Sequence, residues 1–287
     1  MAQKSGFVGL LIGVLSKFIL FAVLVAIGAG VWGVMQEPDQ LRYTQVKMKS
    51  AHWPLHWQPI RIVVVSDLHV GSPYIDLEKL ETVVKMINGA DPDVVMLIGD
   101  FMPGDFFKTS IAPSEFVPVL GKIKAKNGVM ALIGRHDGID GGRQLVDALK
   151  EANIAVLSDS AVPVKLAQKK RFWIAGLGDN PAAYENVMAN IPKGEPVFGM
   201  VHNPARFPEI PKKMDVVFAG YTHGGLVYVP DFTVGVVPTG VPKKYAYGSV
   251  MEDGRQMFVT AGIGTGEYPI RLNNLPEVLV VTVLSGQ

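Results

Sequence analysis

"IRIVVVSD", residues 60–67, decides the fold. Four β-branched residues follow one another from Ile62 to Val65, in a run too short to stand as a helix, so the segment reads as a buried strand. It ends in Ser66-Asp67, with Leu68-His69 directly behind. The pattern recurs downstream. "DVVMLIGD" (93–100) and "GVMALIG" (128–134) are two more buried strands. Between them, "DLEKLETVVKMING" (76–89) has apolar residues at 77, 80, 83, 84 and 87, the spacing of one helix face, with Asp76 as N-cap. "SEFVPVLGKIKAK" (114–126) predicts a weaker helix troubled by Pro118, and "GGRQLVDALKEAN" (141–153) an amphipathic one. Strand and helix in alternation imply parallel pairing through helical crossovers.

The second half is richer in strands, predicted at 154–158, 162–167, 171–176, 196–201, 215–219, 225–229, 256–261 and 277–284, with one helix near 181–190. No repeat or low-complexity linker interrupts it. The reading is an α/β domain over residues 60–287, built of two β-sheets packed face to face with helices outside.

Composition narrows the function. Basic and acidic side chains number 27 and 26, so no net field points to nucleic acid. The absence of cysteine excludes disulfides, thiol catalysis and zinc ribbons. No serine stands in a nucleophile elbow, and "GIGTGE" (262–267) fits neither a P-loop nor a dinucleotide fingerprint. Mean hydropathy is high, at +0.26, because of the N-terminus. Residues 7–35 hold a single charge, Lys17, and the run from Phe18 to Met35 is uninterrupted. As a helix that run spans about 27 Å, close to the roughly 30 Å hydrocarbon core of a bilayer. It is longer than a signal-peptide core and lacks a small-x-small cleavage site, so residues 1–36 read as an uncleaved transmembrane anchor. Lys4 and Lys17 before the span, against Glu37 and Asp39 after it, put the N-terminus inside and the domain outside the cytoplasm, on a single-pass inner (cytoplasmic) membrane protein. Residues 37–59 read as a membrane-proximal linker. Its tryptophans, Trp53 and Trp57, are either loop and core aromatics or contacts with the lipid interface, and His52 and His56 are surface residues.

Five strands end in residues that bind metals or stand beside them: Asp67 and His69; Asp100; Arg135, His136 and Asp137; His202; Tyr221 and His223. Four of the six histidines fall directly after apolar strands. In open α/β sheets ligands bind at the carboxyl ends of strands, and carboxylate with imidazole is the donor set of zinc, manganese and iron. A shared metal site accounts for the pattern better than coincidence.

In the order and spacing of these blocks the chain resembles the calcineurin-like metallophosphoesterases, whose pattern is D-x-H, G-D, G-N-H-D/E, a lone H and G-H-x-H. The resemblance covers residues 60–284 and is strongest to the bacterial membrane-anchored or exported branch, through "SDLHVG", "VHNP", "THGG" and the tail "GIGTGEYPIRLNNLPEV". It implies a sandwich of two mixed β-sheets flanked by helices, and hydrolysis of a phosphate ester or pyrophosphate, possible lipid carriers included. It further implies that Asp67, His69 and His223 hold a first divalent metal (Mn, Zn or Fe), that Asp100 bridges and that His202 holds a second. His136 would serve the leaving oxygen as a catalytic acid, with Asp137 or another carboxylate orienting it. The implied partners are a phosphate-containing small molecule or lipid and the membrane.

Two positions depart from that pattern. Arg135 stands where the family has a ligating asparagine, and Tyr221 where it has a ligating histidine. Both departures fall on the second metal. Guanidinium has no acceptor, and a phenol ligates only after losing a proton of reference pKa about 10. The expectation is one firmly held ion and a doubtful second. Three readings stay open: Arg135 binds phosphate in a one-metal hydrolase; catalysis is lost and the chain binds a phosphate ligand or acts as a scaffold; or Arg135 turns to solvent and a weak second ion still binds. "GDFMPGDFF" (99–107), with Phe106 and Phe107, is expected to shape a pocket or rest on lipid.

Overall fold

The structure, a computed structural model, describes residues 2–104, 111–138, 142–167, 170–228, 240–266 and 268–286, with side chains from Gly9 onward. Phe106 and Phe107 lie outside them. Helix α1 (Ala2–Met35) leads into β1 (Arg42–Ser50) and β2 (Ile60–Ser66), then α2 (Leu77–Gly89), β3 (Val94–Ile98), α3 (Pro113–Leu120), β4 (Val129–Leu132), α4 (Gly142–Glu151) and β5 (Ile154–Val156). The second half holds β6 (Ser160–Lys165), β7 (Arg171–Leu177), α5 (Tyr184–Ala189), β8 (Val197–Val201), β9 (Val216–Ala219), β10 (Gly248–Glu252), β11 (Arg255–Val259) and β12 (Glu277–Ser285).

Two six-stranded sheets result, in the orders β1-β12-β2-β3-β4-β5 and β10-β11-β9-β8-β7-β6. Both are mixed: β2 to β5 run parallel and β12 pairs antiparallel with β2, while β7, β8, β9 and β11 run parallel between the antiparallel edges β6 and β10. The unbroken apolar runs follow from burial on both faces. In β2, Ile62 and Val64 face the opposite sheet with Phe172, Phe198 and Phe218, and Val63 and Val65 face the helices with Leu80, Val84 and Phe116. A third apolar cluster, with Leu177, Tyr184 and Val187, covers the outer face of the second sheet. Asp76 caps α2 by accepting from the Lys79 N–H at 2.7 Å, as its position predicts.

Four segments differ from the sequence reading. Residues 42–50, within the expected linker, are β1, an edge strand pairing in parallel with β12 from Arg42–Glu277 to Ser50–Ser285. Its outward residues Tyr43, Gln45, Lys47 and Lys49 are exposed, so it lacks the apolar run that marks the inner strands. The helix expected over 114–126 stops at Leu120 with Gly121 as its cap. The strand expected at 225–229 is absent in its described part. Positive φ at Gly224, Gly225 and Leu226 breaks it, leaving one bridge from Val227 to Leu272. Finally, β10 pairs with β11 where no strand was expected.

Among the described residues, α1 is the one helix long and apolar enough to cross a membrane, and its large side chains from Leu10 to Ile27 are exposed. Trp53 is core, not interface: it is fully buried, stacks on Phe198 at 5.7 Å and meets Phe172 and Trp57 edge-on. Trp53→Ala should therefore lower the unfolding free energy of the detergent-solubilised chain by about 3–5 kcal/mol in chemical denaturation. A variant as stable as the wild type would contradict this packing.

Candidate metal centre

The parallel strands β2, β3 and β4 of one sheet and β8 and β9 of the other carry the candidate residues at their carboxyl ends. The loops interlock through the backbone: Asp67 N donates to Gly99 O at 3.0 Å, His69 N to Asp100 O at 2.9 Å and Gly220 N to His202 O at 3.2 Å. Among the described residues, eleven non-glycine residues have positive φ, and five of them are Asp67, His69, Asp100, Tyr221 and His223. A left-handed backbone costs such residues of order 1 kcal/mol each, so strain is concentrated at this one place. Two glycines permit the close approach. A Cβ on Gly134 would lie 2.2 Å from Asp100 N, and one on Gly220 would lie 2.7 Å from Asp67 Oδ2.

Two groups of donors converge. Asp67, His69 and His223 each place a ligand atom within 4.8 Å of the others, and so do Asp67, Asp100 and His202; all five are buried. Asp67 belongs to both groups. Asp100 Oδ2 lies 3.2 Å from His202 Nε2, 3.8 Å from His69 Nε2 and 3.9 Å from His136 Nε2. Asp67 is steadied by the Ser66 hydroxyl at 2.5 Å and the Tyr221 N–H at 3.0 Å.

The histidine tautomers test whether the site suits a cation. His69 Nδ1 sits 3.0 Å from Met102 O, His202 Nδ1 3.0 Å from Ile98 O and His223 Nδ1 3.0 Å from Gly264 O. Carbonyl oxygens only accept, so each Nδ1 carries a hydrogen and each Nε2 is the nitrogen left to ligate, the arrangement metal-binding histidines adopt. His69 Nε2 and His223 Nε2 then face each other at 3.3 Å. Two lone pairs repel at that distance, whereas tetrahedral bonds of about 2.0–2.1 Å to one cation set two nitrogens about 3.3–3.4 Å apart. The donors fit a divalent metal.

Burial lowers His69 to about 4 and His223 well below the usual histidine range, so both are neutral at pH 7. Burial likewise raises Asp67 to about 6. At Asp100 burial also acts upward, but His202, His69 and His136 outweigh it and hold the carboxylate well below its ordinary value. Burial disfavours a charged His202, yet the Asp100 carboxylate overrides it and raises the imidazole to about 10. A cation entering the second group competes with that proton.

The other candidates stand around these groups. The half-buried His136 ring packs edge-on to His69 at 5.5 Å and closes on Gly104. Its backbone N–H donates to Asp100 Oδ1 at 3.0 Å. Asp137 does not orient it. Asp137 Oδ1 accepts from Phe101 N at 2.8 Å and Met102 N at 3.0 Å, and Oδ2 accepts from Gly134 N at 2.8 Å. The short turn at His136–Gly138 carries this side chain toward the β3 loop, which it holds against the β4 loop. Among the described residues, Asp100 is the carboxylate within 4 Å of the His136 imidazole. Tyr221 sets its ring edge-on to His202 at 5.4 Å, and Arg135 is exposed on the turn before His136. Asn274 and Arg271, both buried, touch His223 or the carbonyl that orients it, a role that sequence reasoning missed. Their one signal was the "PIRLNN" tail.

Residues 60–225 match the calcineurin-like phosphoesterase family, and the chain belongs to it. It is 28% identical to an uncharacterized metallophosphoesterase, YkuE, of Bacillus subtilis over 87% of each chain. It is 26% identical to the phosphodiesterase YaeI of Escherichia coli over 92% of this chain and 96% of that one. A shorter match, 31% identical, covers 37% of this chain and 31% of the UDP-2,3-diacylglucosamine pyrophosphatase LpxG of Chlamydia trachomatis.

The Asp137 bonds yield a test. Asp137→Asn replaces an accepting oxygen by an amide nitrogen, leaves at least one backbone N–H unpaired and should cost about 1–3 kcal/mol of stability, measured by denaturation in chelator. Unchanged stability would contradict a structural role.

Proposed function

We propose that this chain is a membrane-anchored phosphoesterase that hydrolyses a phosphate ester or pyrophosphate outside the cytoplasm. Asp67, His69, His223 and Asp100 hold one divalent cation firmly. The observation that carries this reading is the pair of facing Nε2 atoms at 3.3 Å between two buried carboxylates. When bound, the cation supplies charge stabilisation for a phosphoryl oxygen and a nucleophile at neutral pH. The remaining work falls to side chains. His136, half-buried beside His69, gives a proton to the departing oxygen. Arg135, exposed and permanently charged, forks two N–H donors onto the phosphate. Asp67, Asp100 and His202 form a second, weaker group, with Arg135 and Tyr221 at the positions where further ligands would stand.

The length and exposed apolar surface of α1 support the membrane location, and the Lys4 and Lys17 asymmetry supports a domain outside the cytoplasm. The names of two relatives, a phosphodiesterase and a UDP-2,3-diacylglucosamine pyrophosphatase, support phosphorus–oxygen hydrolysis and a lipid-borne substrate. Arg135 and Tyr221 also favour a second reading, a phosphate-binding scaffold that has lost turnover.

Elemental analysis of the purified chain loaded with manganese should give about one ion per chain, and Arg135→Asn with Tyr221→His should raise this to about two and increase turnover. Two full ions in the wild type would contradict the one-metal assignment. His136→Ala should lower kcat on mono- or diesters by about 10²–10⁴-fold with metal content unchanged. Absence of wild-type turnover across diverse esters would leave the scaffold.

A further inference from the structure

Helix α1 does not simply tether the domain. Its last turn is bonded into the shell around His223 by two routes. In the first, Trp32 Nε1 donates to Glu37 Oε1 at 3.2 Å, and the other oxygen of this buried carboxylate accepts from Asn274 N at 3.3 Å. Asn274 Nδ2 in turn donates to His223 O at 2.6 Å. Its amide packs so closely on Gly224 that a Cβ there would lie 2.6 Å from Nδ2. In the second, Arg271 N donates to Gly33 O at 2.9 Å, and a Cβ on Gly33 would lie 2.8 Å from Arg271 O. The fully buried Arg271 guanidinium donates to Ala261 O at 2.7 Å, Gly262 O at 3.3 Å, Asn274 O at 3.2 Å and Gly264 O. Gly264 O is the acceptor that fixes the His223 ring through Nδ1, and Gly264 N donates to Asp67 O at 2.7 Å.

We propose that Glu37 and Arg271 are positioning residues for His223, so that the seated end of the apolar helix is a structural part of the metal centre. This rests on the reading of His223 as a ligand. Backbone on one side and ring on the other are set by partners bonded to residues 32, 33 and 37, so a helix end that leaves its seat frees both. Partners of this kind orient a ligand, and their loss typically weakens metal binding about 10–100-fold.

The test uses the full chain in detergent micelles with ¹⁵N-labelled histidine. In the metal-free wild type the His223 ring, assigned with His223→Gln, should give one sharp Nδ1–H tautomer. Glu37→Ala should broaden it or mix the tautomers, Arg271→Lys should do the same, and Glu37→Gln should recover part of the signal by keeping an acceptor. Manganese affinity should fall about 10–100-fold in Glu37→Ala and partly return in Glu37→Gln. Asp39→Ala, at the same junction but bonded to Lys79, should change neither. A His223 signal in Glu37→Ala and Arg271→Lys identical to the wild type overturns the proposal, whatever the metal does. A disturbed signal in a chain whose wild type takes up no manganese supports the positioning role and overturns the metal reading instead.

Discussion

Two imidazole nitrogens held lone pair to lone pair at 3.3 Å are the constraint on which this structure turns. Neither ring can rotate away, because each Nδ1–H is committed to a backbone carbonyl, Met102 O for His69 and Gly264 O for His223. The carbonyls are fixed by the left-handed turns that follow the strands, and the turns are fixed by two apolar layers that bury every central strand on both faces. Repulsion at the centre is thus sustained by packing around it. A cation between them would turn that repulsion into attraction and offset strain of order 1 kcal/mol at each of several residues.

The central strands and α2 were legible because burial on both faces writes an unbroken apolar run and burial on one face writes a helical period. The donor residues were legible because parallel strands put their carboxyl ends on one side of a sheet, which gathers Asp67 and Asp100 in one sheet and His202 and His223 in the other. What escaped the sequence depends on distant backbone. Strand β1 is half polar and exists because β12, more than two hundred residues away, offers it a partner. Trp53 in sequence leaves both a core or loop place and the lipid interface open, until Phe172 and Phe198 close on it. Asp137 follows His136 directly, which suggested a partnership, but the turn between them sends the carboxylate to three N–H groups instead.

The two groups of donors are unequal. The first is closed by the neutral His69 and His223 and the Asp67 carboxylate. In the second, His202 is already engaged with Asp100 at 3.2 Å, and the Tyr221 ring stands edge-on to His202. The chain keeps the architecture of a family built on divalent metals, and the loop that orients His223 is fastened to the end of a membrane-length helix.

X-ray absorption at the metal edge of the purified, manganese- or zinc-loaded chain reads whether the facing nitrogens of His69 and His223 share one ion. A single ion held by His69 and His223 should show a first shell with at least two imidazole nitrogens, at about 2.0–2.1 Å for zinc, together with carboxylate oxygen, and no strong metal–metal scattering at about 3.5–4 Å. A shell without imidazole, or a full metal–metal vector at that distance, would contradict it.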